Sequence, residues 1–233
     1  MDKPIEYEQT APPWGSLLYT ITNNKSQTIG VAGCGPTSAA MVAATLRDET
    51  ITPKDAADFA VRYGYRTAND GTKWTYFGAF LGALKIPYKQ TSSADEAVAA
   101  LKKGLMVICA AGKGIWTSGG HIFLAYGLTS DGKKVYIHDP NSEAQYRELA
   151  NISNFRNEVV QFWIIEEDWR SKMIVQKKTV EVFNEAGKAS KLNGVYGEQT
   201  NYIAIREVEK IVPWAIKYDA ETNRVIILPN IKQ

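Results

Sequence analysis

Side chains suited to covalent chemistry are scarce in this chain: 233 residues hold two cysteines and two histidines. Cys34 sits in Gly33-Cys34-Gly35-Pro36-Thr37-Ser38-Ala39-Ala40-Met41-Val42. Proline suits a first helical turn, because the N–H it lacks would be unpaired there anyway. Ala39 to Leu46 then supply an apolar helix. Cys34 is thereby placed at or just before a helix start, where unpaired amides and the macrodipole favour negative charge. Such a setting lowers a thiol pKa from about 8.5 towards ~3.5–7.5 and yields a nucleophilic thiolate. The flanking glycines let a substrate backbone come close. The competing reading of this segment alone is a small residue packed at a helix start.

A nucleophilic thiol needs a base, and the base needs an orienting acceptor. His121 follows Gly119-Gly120 and opens the apolar run Ile122-Phe123-Leu124-Ala125-Tyr126, which puts it at a strand end beside a close-approach loop. His138 ends Val135-Tyr136-Ile137-His138 and is followed by Asp139-Pro140-Asn141. Alternation puts Val135, Ile137 and Asp139 on one face of that strand. Asp139 is therefore expected to point to the helix layer and meet His121, holding its tautomer and stabilising the imidazolium. His138, on the other face, is expected at the surface or behind the site. Cys109 lies in the apolar run 105–111 and reads as an inert core thiol, although a Cys34–Cys109 bridge would extinguish the reactive one. There is no Cys-x-x-Cys and no His-Glu-x-x-His, so no metal or other cofactor is expected. Ala111-Gly112-Lys113-Gly114 lacks the spacing of a phosphate loop.

The elements that must position these groups follow from local signals. The spacing predicts helices over 36–47, 53–63, 74–85 and 94–103. Thr52-Pro53 and Ser93 serve as starts of the second and fourth, and Gly64 and Gly104 as stops. Strands are predicted over 105–111, 121–127, 134–139 and 159–165, with Asp131-Gly132 as a hairpin turn. Helices grouped first and antiparallel strands second indicate an α+β domain. A boundary at about 166–172 separates residues 1–167 from a small α+β domain over 173–233. There, 175–184 is a period-2 strand, 185–188 and Asn193-Gly194 are turn signals, 203–212 a helix and 224–228 a closing strand.

Composition is ordinary for a globular chain, with 45% apolar and 22% charged residues. No stretch has the length of apolar sequence that spans a bilayer. The start, Met1-Asp2-Lys3-Pro4-Ile5-Glu6, is not that of a secretory signal. The net charge of +2 does not suggest nucleic acid. Residues 1–170 carry 17 Lys and Arg against 18 Asp and Glu, whereas 171–233 carry 10 against 7, a mildly basic second domain.

The order Cys34, His121, Asp139 resembles that of papain-like cysteine peptidases. It is most similar to the bacteriocin-leader-processing, double-glycine type and its phage and cell-wall relatives. The resemblance spans about 1–165 and is carried by Tyr7-Glu8-Gln9 with Trp14, the Gly33 to Val42 segment, Gly120-His121-Ile122-Phe123 and Ile137-His138-Asp139-Pro140-Asn141. It implies that Cys34 attacks a carbonyl, His121 moves the proton and Asp139 orients His121. It further implies an upstream glutamine that donates to the oxyanion together with the Cys34 N–H. Gln9 is 25 residues before Cys34 but has the family's Tyr-x-Gln context, so it is the preferred donor, with a loop insertion between; Gln27, 7 residues before Cys34, is the alternative. Asn193-Gly194-Val195, Asn201 to Glu207 and Ile216 to Ala220 are similar to the small N-terminal repeats of copper amine oxidases, which are also appended to wall enzymes. The second domain has no histidine to carry copper over.

The two-domain plan without a signal resembles that of a phage endolysin. The expectation is a peptidoglycan hydrolase, made in the host cytoplasm and acting on the wall after release, with neither nucleic acid nor membrane insertion involved. Trp74, Trp116, Tyr76 and Gly120 are candidates to line its substrate cleft, although aromatics more often form core. A protein- or leader-directed cysteine peptidase and a non-catalytic wall binder are the alternatives.

Overall fold

A computed structural model describes residues 3–69, 71–141 and 148–170, and the backbone of strands 176–183, 189–197, 200–203, 214–219 and 224–229. The chain divides into two compact units, Met1–Trp169 and Arg170–Gln233.

The first unit is α+β. Its helices are α1 (Ile29–Ala32), α2 (Cys34–Leu46), α3 (Pro53–Arg62), α4 (Thr75–Ala83), α5 (Ala94–Lys102) and α6 (Ile152–Glu158). Its strands are β1 (Tyr88–Thr91), β2 (Val107–Ala111), β3 (His121–Leu128), β4 (Lys134–His138), β5 (Leu149–Asn151) and β6 (Val159–Ile165). They form one antiparallel sheet in the order β1-β6-β2-β3-β4-β5.

Local chemistry explains the helix starts. Thr52 accepts from the Asp55 N–H while the Asp55 carboxylate takes the Thr52 N–H, a reciprocal cap that sets α3 running. Ser93 caps α5 through the Glu96 N–H. α2 is apolar on all sides and correspondingly buried from Gly35 to Ala44.

The sheet carries a core on each face. Ile108, Ala110, Ile122, Leu124, Tyr126, Trp163 and Ile165 pack with α2, α3 and α4. Val107, Cys109, Phe123, Ala125, Val135, Ile137, Phe162 and Ile164 pack with α5 and α6. The central strands β2 and β3 are buried on both sides, which is why they read as unbroken apolar runs. This corrects the expectation of a single helix layer: Val135 and Ile137 face the α5–α6 side, not the side of the cysteine helix. The segment after β6 folds back on the core. Glu167 takes two hydrogen bonds from Arg47, at 2.9 and 2.7 Å, and buried Trp169 donates to the Gly104 carbonyl at 2.9 Å.

In the second unit, β7 (Gln176–Phe183), β8 (Ala189–Gly197) and β9 (Thr200–Ile203) form an antiparallel sheet, and β10 (Trp214–Asp219) pairs with β11 (Arg224–Pro229). Asn193-Gly194 is not a turn: it lies within β8 opposite Thr179 and Lys178, because the β7 ladder runs on past it. Ile203 ends β9, and the rest of the expected helix over 203–212 lies outside the described residues.

Candidate active site

The position of Cys34 is set by two glycines. Gly33 caps α2, and its N–H closes on the Ile29 carbonyl at 2.8 Å, so α1 turns straight into α2. A Cβ at Gly33 would sit 2.4 Å from that same carbonyl oxygen, which excludes a larger residue. A Cβ at Gly35 would meet Thr72 at 3.1 Å, so the 71–74 loop lies close against the start of α2. Cys34 is the first residue of α2 and half-buried. Both Cys34 and Cys109 are free thiols.

His121 opens β3 opposite Ala111. Leu124 pairs with His138, so the same register places Asp139 opposite Phe123, on the diagonal from His121 and on its face. The diagonal is closed by a hydrogen bond of 2.6 Å between His121 Nε2 and Asp139 Oδ1. The same Oδ1 accepts the Asn141 N–H at 2.8 Å, and the carboxylate is fully buried. With Nε2 engaged, Nδ1 is the nitrogen left for the thiol, and Cys34 is hydrogen-bonded to His121. His121 thus meets Cys34 at the end of β3, where Ser38 of α2 also bonds the Ile122 carbonyl at 3.3 Å.

The electrostatics favour an ion pair. Burial opposes a thiolate at Cys34, but the His121 hydrogen bond and charge, with the N–H groups of Ile122 and Gly35, outweigh it and hold the thiol below its usual range. Burial likewise opposes an imidazolium at His121. The hydrogen bonds and charges of Asp139 and Cys34 overcome that and push it up to about 9. The arrangement can deliver a thiolate to a carbonyl carbon and a proton to the leaving amine. Burial pushes the Cys109 thiol well up, as suits a core residue.

The two candidate oxyanion donors differ in setting. Gln9 is 5% exposed. Its Nε2 donates to the Gly30 carbonyl at 2.8 Å, and its own N–H to the Pro140 carbonyl at 2.7 Å. It therefore bridges the turn before Cys34 and the residue after Asp139. The Gln27 side-chain Oε1 instead accepts from Arg66, and its backbone pairs with Tyr19 and Asn24 in the loop before α1.

The other expected cleft residues separate. Trp116 is 3% exposed and packs on Phe123 with ring centroids 4.9 Å apart; it is a core residue because it inserts among the side chains of the α5–α6 face. Tyr76 is also buried. Trp74 is 47% exposed, edge-on to Trp163. Gly120 is exposed, and a Cβ there would meet nothing within 4 Å, so open space and not a tight approach adjoins His121. His138, expected at the surface or behind the site, is 1% exposed and lies against Tyr126.

Glu158 is a supporting residue that the sequence does not announce. Its carboxylate accepts the Ile115 N–H at 2.6 Å and its carbonyl the Gly112 N–H at 2.8 Å. It anchors the loop that leads into His121. A Cβ at Gly114 would lie 2.0 Å from that carboxylate, which gives the Gly112-x-Gly114 pattern its reason. Among the described residues, no cluster of three His, Cys, Asp or Glu is arranged to hold a metal, and no helix is long and apolar enough to cross a membrane.

Residues 17–167 match the family model described as Peptidase_C39 like family. The matched span contains Cys34, His121 and Asp139 and begins after Gln9. Among solved structures, the chain is similar to the peptidase domain of Streptococcus ComA, a bi-functional ABC transporter involved in a quorum sensing pathway. Identity is 16%, the match covers 59% of this chain and 93% of that one, and the TM-score is 0.43. No curated protein matches the chain.

Proposed function

The chain belongs to the Peptidase_C39 like family of cysteine peptidases, and on that premise we propose that it hydrolyses an amide bond of bacterial peptidoglycan through Cys34, His121 and Asp139. The observation that carries the catalytic part is the unbroken hydrogen-bonded line from the Cys34 thiol through His121 to the buried Asp139 carboxylate. Cys34 Sγ attacks the amide carbon. The oxyanion that forms takes hydrogen bonds from the Cys34 N–H and from Gln9 Nε2. His121 gives its proton to the leaving nitrogen as the C–N bond breaks, leaving a thioester. Water, deprotonated by His121, attacks the thioester; the acid departs and the thiolate returns.

Gln9 is the oxyanion donor in this reading, because it is held between the turn before Cys34 and the residue after Asp139 with a second Nε2 hydrogen to give, while Gln27 is tied through its side-chain oxygen to Arg66 in the loop before α1. Gln9→Ala is expected to lower kcat by ~10²–10³-fold. Gln27→Ala is expected to act on stability, through the lost Arg66 contact, with turnover largely kept. Steady-state kinetics beside thermal unfolding separate the two, and a reversed pattern would move the oxyanion role to Gln27.

The wall as substrate rests on residues 171–233, in which Lys and Arg exceed Asp and Glu by three, a charge suited to an anionic surface. That stretch is the wall-binding part in this reading. The family match favours a second reading, cleavage of a leader peptide after a glycine pair. Incubation with purified peptidoglycan and, separately, with a peptide bearing a Gly-Gly site, followed by mass spectrometry, decides between them. New muropeptide ends support the first reading. Peptide cleavage with an intact wall sinks it.

A further inference from the structure

Residues 3–9 form a segment tied down at both ends. The Ile5 N–H donates to Thr45 Oγ1 at 2.9 Å, and Gln9 bonds Pro140 and Gly30. Between these ties the segment passes over the end of β4, where it covers His138. The ring is 1% exposed and tilted against the Tyr126 ring with centroids 4.4 Å apart, and neither nitrogen has a hydrogen-bond partner of good geometry. The groups around it are the Ile5 backbone, Lys3 and Glu6 of the segment, Tyr126 of β3 and, near Glu6, Glu148. The nearest carboxylate oxygen, on Glu6, is 3.6 Å from Nε2, outside hydrogen-bond reach.

We propose that His138 is a positioning residue for Gln9: while neutral it lets residues 3–9 lie closed over it, and on gaining a proton it releases them. A buried imidazole accepts a closed cover only in its neutral form where burial outweighs its one favourable contact, here with the Ile5 backbone. Once charged it must reach water, and the cover is the segment that carries Gln9. The role rests on the reading of Gln9 as oxyanion donor. Burial, aided by Lys3, pushes His138 down to about 4 in the closed form, against 6.5 for a solvated ring. The closed form therefore binds fewer protons than the open one. Its advantage is complete above pH 6.5 and is lost as pH falls towards 4. Burial also raises the Glu6 carboxyl, so the anion that could pair with the imidazolium is itself neutralised in acid.

Hydrogen exchange on the full chain, corrected for intrinsic rates, tests this. From pH 7 to pH 4, protection of the Ile5 and Gln9 amides is expected to fall on the order of 100-fold while β2 and β3 amides keep theirs. His138→Gln is expected to abolish most of that fall, and Glu6→Gln to retain it. With purified peptidoglycan, the acid limb of kcat should flatten in His138→Gln without a matching change in KM. Equal protection at both pH values, or a fall that disappears with Glu6→Gln but not with His138→Gln, overturns the proposal. Should His138→Gln fail to fold, an NMR titration of His138 in the parent chain decides, since its midpoint must coincide with the loss of Gln9 protection. If protection follows His138 but Gln9→Ala turns over normally, the oxyanion reading fails and the control of the segment by His138 stands.

Discussion

Cys34→Ala is expected to lower turnover by ~10⁴-fold or more while the chain keeps its fold. Alanine is a good helix former, and Cys34 is only half-buried at the first position of α2, so unfolding should shift little. The substitution also removes one of the two partners that raise His121, so the imidazole should titrate below about 9 in the variant. A single sample then supplies both readouts: loss of hydrolysis, and a lowered histidine midpoint by NMR. Cys109→Ala gives the contrast. Its sulfur is buried in β2 against the α5–α6 core, so the change should cost stability and leave turnover alone. Parental lysis by Cys34→Ala would mean that the thiol is not the nucleophile.

The parts of this site that are legible in the sequence are those written in local chemistry. Gly33 and Pro36 mark the start of α2, and Thr52 with Asp55 marks that of α3, because capping depends on neighbours within one turn. Strand parity pairs Asp139 with His121, because alternation is a property of the backbone. What stays hidden depends on distant chain. Parity names the face of β4 that holds Val135 and Ile137 but not which helices cover it, and α5 and α6 do so. β1, with Lys89 and Gln90 exposed, is an edge strand without an apolar signal, and α6 is two turns long. The choice between Gln9 and Gln27 turns on Gly30, Pro140 and Arg66, none near either glutamine in a way that sequence spacing reveals. His138 reads as a surface group because the residues that bury it precede it by more than 120 positions. Glu158 is as far from its loop in sequence as it is close in space.

Asp139 has two separable jobs, and its variants should separate them. Its Oδ1 accepts the N–H groups of both His121 and Asn141, which fixes the ring and the turn after β4. Its negative charge helps to raise His121 to about 9. Asp139→Ala loses both jobs. It leaves the buried His121 N–H without this acceptor, at ~1–3 kcal/mol, gives the exposed Asn141 N–H back to water, and turnover is expected to fall ~10²–10⁴-fold. Asp139→Asn keeps an oxygen at the same place, so the ring stays oriented where that oxygen takes its N–H, and the loss should be smaller than for Ala. Its mark should lie in the pH profile instead. Activity needs the imidazolium and declines as pH rises through the His121 value, so removing the charge should move the alkaline limb below about 9. An Asn variant as impaired as Ala at every pH would show that charge, not placement, is what Asp139 supplies. An alkaline limb that stays put in both would mean that another group sets it. The expected pattern, a smaller loss with a shifted limb for Asn and a large loss for Ala, is the one the shared Oδ1 contact requires. That oxygen does the orienting, and the charge sets the pH range over which the oriented base is armed.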